Sequence, residues 1–269
     1  MRFDLPLLVA RLSLSSIFLL SAVVGVPFIG CSNTQSTTEA SKPQTVEERA
    51  DELVLKAWSH ESKVTPLLQE ITAEMRAQLY GLEHRLKTRS STILKINRVI
   101  KENPSLQPAQ VIINDMLRYT LLVNDKPAGH YKETLGITLK RLEAIGNKVL
   151  RVKNYWPKGD NYSGVNCDLE TAAGMRWELQ FHTLASLRQN RINRPLYERL
   201  RRPNLSLPEQ QRTFDRMTRP WEEIPIPEGL LTVEGLHERT ELVQRGRPGK
   251  EPQTPTERED PGSGDPDQP

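Results

Sequence analysis

Apolar residues recur at helical spacing in several parts of the chain. Two amphipathic helices are predicted between Thr45 and about Leu82 by regularly spaced apolar residues. These residues are Leu53, Leu55, Trp58, Leu67, Leu68, Ile71, Met75 and Leu79. A third helix is predicted from Ser90 or Ser91, both good N-cap residues, to about Glu102, because Pro104 follows it. Two further helical patterns run from 131 to 145 and from about 184 to 201.

Four runs have the apolar and polar alternation of β-strands. They are LRYTLLV (117–123), VLRVKNYW (149–156), GVNCDLET (164–171) and RWELQFHT (176–183). One strand, a helix and then three strands predict an α+β fold, with a mixed sheet of about four to five strands flanked by helices.

The last strand has two different sides. Trp177, Leu179 and Phe181 point one way as a core face, and Glu178, Gln180 and His182 point the other way. The polar side is either a solvated surface or one wall of a binding site.

The two ends of the chain differ in composition from the middle. Residues 1–31 contain a mostly apolar run that ends in Gly30-Cys31, which is typical of a secretory signal with a lipoprotein cleavage box and predicts lipidation of Cys31. An uncleaved membrane anchor, or a misassigned start and a cytoplasmic protein, are the alternatives. Residues 32–44 are predicted to be a polar linker, 45–220 the folded domain, and 221–269 a Pro- and charge-rich tail that is mostly disordered.

Composition and charge narrow the function only slightly. The 269 residues suit one domain with tails, and a formal net charge of +3 does not indicate a protein that binds nucleic acid through its overall charge. If Cys31 is lipidated, Cys167 has no intrachain partner, so a disulfide is excluded.

A basic cluster precedes and enters the third predicted helix. It consists of Arg85, Lys87, Ser91, Lys95 and Arg98, with no carboxylate between Arg85 and Arg98. Ser91, Lys95 and Arg98 share one helix face, and such a helix start can bind several phosphates. A solvated basic face is the alternative.

Two acidic residues stand at strand positions. Asp115 directly precedes one strand and Glu178 lies within another. Taken alone, Asp115 is a capping or turn residue. If the two strands are neighbours, both carboxylates could bind one Mg²⁺ together with phosphate oxygens.

The loop VKNYWPKGDNYSGVN has the composition of a nucleotide-binding loop or of an ordinary turn. Tyr162 fits equally a residue that stacks on a base and a structural tyrosine.

The order of these motifs resembles the synthetase domain of the RelA/SpoT alarmone synthetases, over about residues 50 to 200. The resemblance rests on Arg85, Lys87, Ser91 and Lys95; Asp115; Lys153 and Tyr155; Tyr162, Gly164 and Asn166; and Glu178 with Gln180.

The resemblance implies a nucleotidyltransferase-like sheet and transfer of pyrophosphate from ATP to the 3′-hydroxyl of GTP or GDP, giving (p)ppGpp and AMP. The basic cluster would hold the ATP phosphates. Asp115 and Glu178 would be catalytic and would bind Mg²⁺, with Glu178 acting on the attacking hydroxyl. The acceptor nucleotide would contact Lys153, Tyr162, Asn166, Gln180 and His182, with Tyr162 stacking on its base.

Departures from the family pattern concern the acceptor. Thr120 replaces an arginine, Asn166 replaces a histidine and His182 replaces an arginine. We expect Arg118 to substitute for that arginine only from a different face. No histidine is followed by Asp, so the hydrolase motif of the family is absent.

Export fits poorly with a cytosolic ATP-dependent reaction, so other functions stay open. One is an exported toxin or effector that modifies adenosine nucleotides or tRNA 3′ ends, which would make RNA a partner. Another is an inactive lipoprotein that binds nucleotide or RNA. The sequence also leaves a membrane partner and a homo-oligomer open.

Overall fold

The computed structural model describes residues 43–157, 161–200, 204–243 and 247–249. Six strands form one mixed sheet in the order β1-β2-β5-β4-β3-β6, in which the β2–β5 and β3–β6 pairs are parallel. The strands are β1 (Gln78–Tyr80), β2 (Arg118–Leu122), β3 (Lys148–Asn154), β4 (Val165–Glu170), β5 (Arg176–His182) and β6 (Thr240–Leu242). The predicted α+β class with a mixed, helix-flanked sheet is therefore confirmed, with six strands in place of four to five.

Five α-helices accompany the sheet in the described part of the chain. They are α1 (Val46–Glu74), α2 (Arg89–Glu102), α3 (His130–Ala144), α4 (Leu184–Leu200) and α5 (Leu207–Thr218). Three short 3₁₀ helices lie at Leu82–His84, Pro108–Gln110 and Arg219–Glu223.

Helix α1 is one continuous helix where two were predicted. It begins at a capping box, in which Thr45 Oγ1 accepts from the Glu48 amide at 3.1 Å and Glu48 accepts from the Thr45 amide at 2.7 Å. The buried stripe passes through Ala57 and Val64, so it continues where large apolar residues are missing. The helical spacing predicts Leu55 and Trp58 on the apolar side of the helix, but their side chains are 70% and 59% exposed.

The core lies on one face of the sheet, against α1 and α3. Trp177, Leu179 and Phe181 are fully buried there, as their alternation predicted. The Tyr119 hydroxyl lies 2.6 Å from Thr65 of α1, and the Tyr131 hydroxyl of α3 donates to the Phe181 carbonyl at 2.6 Å. These contacts fix both helices on the apolar face and leave the other face of the sheet to polar side chains.

The fold extends beyond the predicted boundary at residue 220. Trp221 and Leu230 are buried, the Asn154 side chain donates to the Leu230 carbonyl at 2.6 Å, and β6 pairs with β3. Part of the segment predicted as a disordered tail therefore belongs to the fold. The signal segment 1–31, Cys31, most of the linker and residues 250–269 lie outside the described residues.

Candidate active site

The polar face of β5 is one wall of a cross-strand cluster of charged and amide side chains. Glu178 lies between Arg118 of β2 and Asp168 of β4 in the strand register, and Gln180 lies between Thr120 and Asn166. Glu178 and Gln180 are half-buried, while their alternating neighbours are in the core. This face is therefore lined by interacting side chains and is not a freely solvated surface.

Strands β2 and β5 are adjacent, which is the condition on which the predicted pairing of Asp115 with Glu178 depended. The Glu178 amide donates to the Leu117 carbonyl at 3.0 Å, so the start of β2 lies beside Glu178. Asp115 precedes this point by two residues. Burial is the main cause of the raised pKa of Glu178, and the charge of Asp115 adds a smaller contribution in the same direction. The two carboxylates therefore act on each other at the same end of the sheet.

Two lysines of the predicted basic cluster bind Asp115. Lys87 Nζ lies 2.9 Å from Asp115 Oδ2, and Lys95 Nζ lies 2.5 Å from Oδ1. Burial alone would raise the pKa of Asp115, but the hydrogen bonds and the charges of Lys95 and Lys87 together outweigh burial and lower this pKa. Asp115 is therefore a carboxylate held ionised by two cations and not merely a turn residue.

Local backbone pairing explains how Lys87 reaches Asp115. The Lys87 amide donates to the Met116 carbonyl at 3.0 Å, and the Arg118 amide donates to the Arg85 carbonyl at 2.8 Å. Helix α2 begins directly afterwards, with Thr88 as its N-cap in place of the predicted Ser90 or Ser91. The first turn of α2 is thereby placed beside the start of β2.

The contacts found for the other members of the basic cluster are with residues other than Asp115. Arg85 donates to Glu61 of α1 at 2.7 Å and to the Leu82 carbonyl at 2.7 Å. Ser91 is exposed and accepts from the Thr88 hydroxyl at 2.9 Å, one turn before Lys95. Arg98 is exposed, 3.9 Å from Glu102. The structure thus joins Lys87 and Lys95 at one carboxylate, while Arg85 is turned toward α1.

Burial is the largest influence on Glu178. It raises the pKa of the Glu178 carboxyl, against the hydrogen bond from Gln180 and the charges of Arg118 and Lys153, which lower it. Asn166 Nδ2 also donates to Glu178 Oε1 at 3.2 Å. A carboxylate with raised proton affinity is suited to accept a proton from a substrate hydroxyl.

Asp168 is a further residue of this cluster that the sequence motifs did not predict. Its two oxygens lie 3.2 and 2.9 Å from Lys153 Nζ, and Arg151 lies 3.5 Å away. Strand alternation could have predicted it, because Asn166 and Asp168 are two residues apart in β4 and therefore share a face. Lys153, predicted to contact an acceptor nucleotide, is held by this carboxylate at the edge of the polar face.

Arg118 and Thr120 point to the same face of β2, so the expectation that Arg118 lies on a different face is wrong. The two residues are two apart in β2, so they share a face, and the charge of Arg118 acts on Glu178 across the strand pair. Arg118 is exposed, so its guanidinium is available at the same face as Glu178.

Tyr162 is placed differently from a residue that stacks on a base. It is 5% exposed, and its ring meets Tyr155 and His182 edge-on, with centroid distances of 5.2 and 5.4 Å, and Trp221 at 6.4 Å. Its hydroxyl donates to Asn166 Oδ1 at 2.7 Å and lies 3.0 Å from His182 Nε2. In this arrangement Tyr162 is buried among aromatic rings, which is the position of a structural tyrosine.

His182 is likewise inside the protein and not at a ligand surface. It is fully buried, and burial lowers its pKa to about 4, so the imidazole is neutral at pH 7. Its Nδ1 lies 3.0 Å from Ser186 Oγ. The predicted direct contact of His182 with the acceptor nucleotide is therefore corrected to a contact with Tyr162.

Several observations bear on metal and membrane binding. No group of three or more His, Cys, Asp or Glu side chains able to hold a metal ion occurs among the residues that the structure describes. Asp115 and Glu178 are thus a pair of carboxylates that would need other oxygen ligands.

Within the same described ranges, no helix is long and apolar enough to cross a membrane.

No protein-family profile and no curated protein matches the sequence. Among solved structures, the complex of the Type VI effector Tas1 with its immunity protein matches at 17% identity and a TM-score of 0.45, over 66% of this chain and 97% of that chain. Small alarmone synthetase 1 from Bacillus subtilis matches at 14% identity and a TM-score of 0.44, over 64% of this chain and 88% of its own. Its complex with the product pppGpp matches at 13% identity and a TM-score of 0.44, with the same coverage. Over about two thirds of its length the chain is similar to these solved structures, and the likeness concerns the fold alone.

Proposed function

We propose that this protein transfers pyrophosphate from ATP to the 3′-hydroxyl of a guanosine nucleotide, GTP or GDP, giving (p)ppGpp and AMP. The observation that carries the proposal is the convergence of Lys87 and Lys95 on Asp115, beside Glu178, at one end of the parallel strands β2 and β5. The order of the sequence motifs supplies the reaction class, and the contacts supply groups that can perform it.

The two lysines would bind the ATP phosphates. Each is now paired with one oxygen of Asp115, and both are partly buried, with side-chain exposures of 19% for Lys87 and 27% for Lys95. Phosphate oxygens are equivalent partners for an ammonium group, so the lysines can exchange the carboxylate for the nucleotide. Ser91, at the first turn of α2, adds a hydroxyl and the amides of a helix start to the same region.

Asp115 and Glu178 would hold Mg²⁺. The pair fits this ion because Mg²⁺ is commonly bound by one or two carboxylates together with substrate phosphates. Asp115 would bind the ion once Lys87 and Lys95 have turned to the phosphates, because both of its oxygens are then free of the lysines. When bound, the ion would neutralise charge on the transferred phosphates.

Glu178 would accept the proton of the attacking hydroxyl. The 3′-oxygen forms a bond to the β-phosphorus of ATP, the bond from that phosphorus to the oxygen bridging the α- and β-phosphates breaks, and AMP leaves with that oxygen. The hydroxyl proton passes to a Glu178 oxygen. Glu178 suits this role because it is a carboxylate on the polar face of β5, where the acceptor would lie. Without a bound ion, burial raises the pKa of Glu178, which moves this base toward the working pH.

The acceptor nucleotide would lie over the polar face of β5 and β4. Gln180 and Lys153 are half-buried there, on either side of Asn166 in the strand register. Their amide and ammonium groups can bind base and phosphate oxygens.

The test is incubation of the full chain with γ-³²P-ATP, Mg²⁺ and each of GTP, GDP, ATP, ADP and tRNA in turn. We expect AMP and a labelled guanosine product, and no labelled product with the Glu178→Gln variant. Glu170→Gln is the matched control, because Glu170 lies in the neighbouring strand and pairs with Arg176. Label transfer only to an adenosine nucleotide or to tRNA would replace the guanosine acceptor, and release of inorganic phosphate alone would overturn the transferase.

A further inference from the structure

A continuous chain of hydrogen bonds leads from helix α4 to Glu178. Ser186 Oγ lies 3.0 Å from His182 Nδ1, and His182 Nε2 lies 3.0 Å from the Tyr162 hydroxyl. Tyr162 donates to Asn166 Oδ1 at 2.7 Å, and Asn166 Nδ2 donates to Glu178 Oε1 at 3.2 Å. The first four residues are buried, so water does not compete for these bonds.

Counting protons fixes the direction of the chain. A carboxylate only accepts, so Asn166 must turn its Nδ2 toward Glu178 and its Oδ1 toward Tyr162. The single Tyr162 proton then goes to Asn166, and the Tyr162 oxygen accepts from His182 Nε2. His182 is therefore the neutral Nε2–H tautomer. Its Nδ1 is then an acceptor for the Ser186 hydroxyl at 3.0 Å, and the Thr183 carbonyl at 3.1 Å is the other acceptor for the same proton.

We propose that His182 and Tyr162 are positioning residues, which fix the Asn166 amide and through it orient the Glu178 carboxylate toward the reacting hydroxyl. The site thus uses the hydroxyl of Tyr162 and not its ring face. This inference rests on the proposed function only for the role of Glu178.

Packing holds the chain in one arrangement. The Tyr162 ring has edge contacts with Tyr155 and with the His182 ring. A Cβ atom at Gly164 would lie 2.8 Å from His182 Cε1, so the absence of a side chain there leaves room for the imidazole. A misplacement of about 1 Å in such a positioning set can cost about 100-fold in rate.

The first test is the Tyr162→Phe variant, which keeps the ring and removes the hydroxyl. We expect its kcat to fall about tenfold or more, with KM for ATP within about twofold of wild type, because only the orientation of Glu178 is lost. The matched control is Tyr131→Phe, which removes another buried hydroxyl that donates to the Phe181 carbonyl on the core side of β5. It should keep the wild-type kcat even if its melting temperature falls.

The second test compares two amide substitutions of His182. In His182→Gln the amide nitrogen can occupy the place of Nε2 and donate to Tyr162, whereas in His182→Asn it reaches only the place of Nδ1. We expect the Gln variant to retain most of the activity and the Asn variant to lose it, although both remove the imidazole. Melting temperatures are measured beside the rates, because unequal kcat values at equal melting temperatures would not follow from a structural role alone.

The third test does not depend on activity. Imidazole ¹⁵N chemical shifts of the five histidines, assigned to His182 with the His182→Gln variant, should show a neutral Nε2–H tautomer that is perturbed in Tyr162→Phe. An Nδ1–H tautomer, or an unchanged spectrum in Tyr162→Phe, would overturn the chain. Wild-type kcat in Tyr162→Phe, or equal losses in Tyr162→Phe and Tyr131→Phe, would overturn the positioning role. An inactive wild type would instead reject the proposed function, while the tautomer would still decide whether the chain exists.

Discussion

Lys95 Nζ lies 2.5 Å from Oδ1 of Asp115, and Lys87 occupies the other oxygen of the same carboxylate at 2.9 Å. The lysine that we propose to bind phosphate is thus held by an acidic residue of the proposed site. The pairing keeps its positive charge in place, and in the proposed reaction ATP would compete with Asp115 for it.

The Lys95→Ala variant should lose about 100-fold or more in kcat/KM for ATP, because a cation that stabilises charge on the phosphates is removed. Folding should change little, since Lys87 remains to pair with Asp115. Lys101→Ala is the control, because Lys101 lies in the exposed last turn of α2. The measurements are initial rates and thermal melting, and unfolding of Lys95→Ala would show that the lysine is structural.

Gly164→Ala should lower stability by about 1–3 kcal/mol, because the added methyl group overlaps the buried His182 ring. Activity should fall with it, since the displaced imidazole loses its contact with Tyr162. Gly136→Ala in α3 is the matched control. Nothing lies within 4 Å of its added Cβ, and alanine should stabilise the helix by about 1 kcal/mol. Equal melting temperatures for Gly164→Ala and wild type would contradict the close approach.

Stability should depend on pH through His182. Burial lowers its pKa from 6.5 to about 4, so between these values the unfolded chain binds a proton that the folded chain does not. The free energy of unfolding should therefore not change with pH through this histidine above pH 6.5. It should fall by on the order of 3 kcal/mol as the pH decreases toward 4. Denaturant unfolding of wild type and His182→Gln at pH 7, 6, 5 and 4 should give a smaller acid loss in the variant. Parallel curves would mean that His182 is protonated in the folded state.

We also propose that Cys31 is lipidated after removal of the signal segment. Cys31→Ser should then release the protein from the membrane fraction or leave the precursor unprocessed, because stable attachment would depend on lipid at this residue. Fractionation and intact mass are the measurements. Unchanged membrane association and size would favour an uncleaved apolar anchor.

The four longer strands were predictable because each alternates between a core side and a polar side. Their observed bounds differ from the predicted ones by at most two residues at each end. Strands β1 and β6 have three residues each, and pairing with neighbours far along the chain decides their conformation. Helix α5 also escaped prediction, although Ser206 and Glu209 form a capping box at its start.

In the candidate site, the residue types of the charged groups were easier to predict from the sequence than the burial of the aromatic groups. Asp115, Glu178 and the two lysines belong to short motifs whose chemistry is visible in the residue types. The burial of Tyr162 and His182 depends on tertiary packing, with Trp221 and Ser186 beside them, and no local pattern records it. Strand alternation correctly placed His182 on the polar face but could not show that this end of the face is covered.

The pairing of β6 with β3 has a practical consequence for protein production. A fragment that stops at residue 220 would expose the backbone N–H and C=O groups of β3 that β6 now satisfies, and it would leave Asn154 without the Leu230 carbonyl. An unprotected strand edge readily pairs with the same edge of another molecule. Expression of such a fragment would therefore yield aggregates that could be mistaken for a natural oligomer, and a fragment suitable for biochemistry should continue past Leu242.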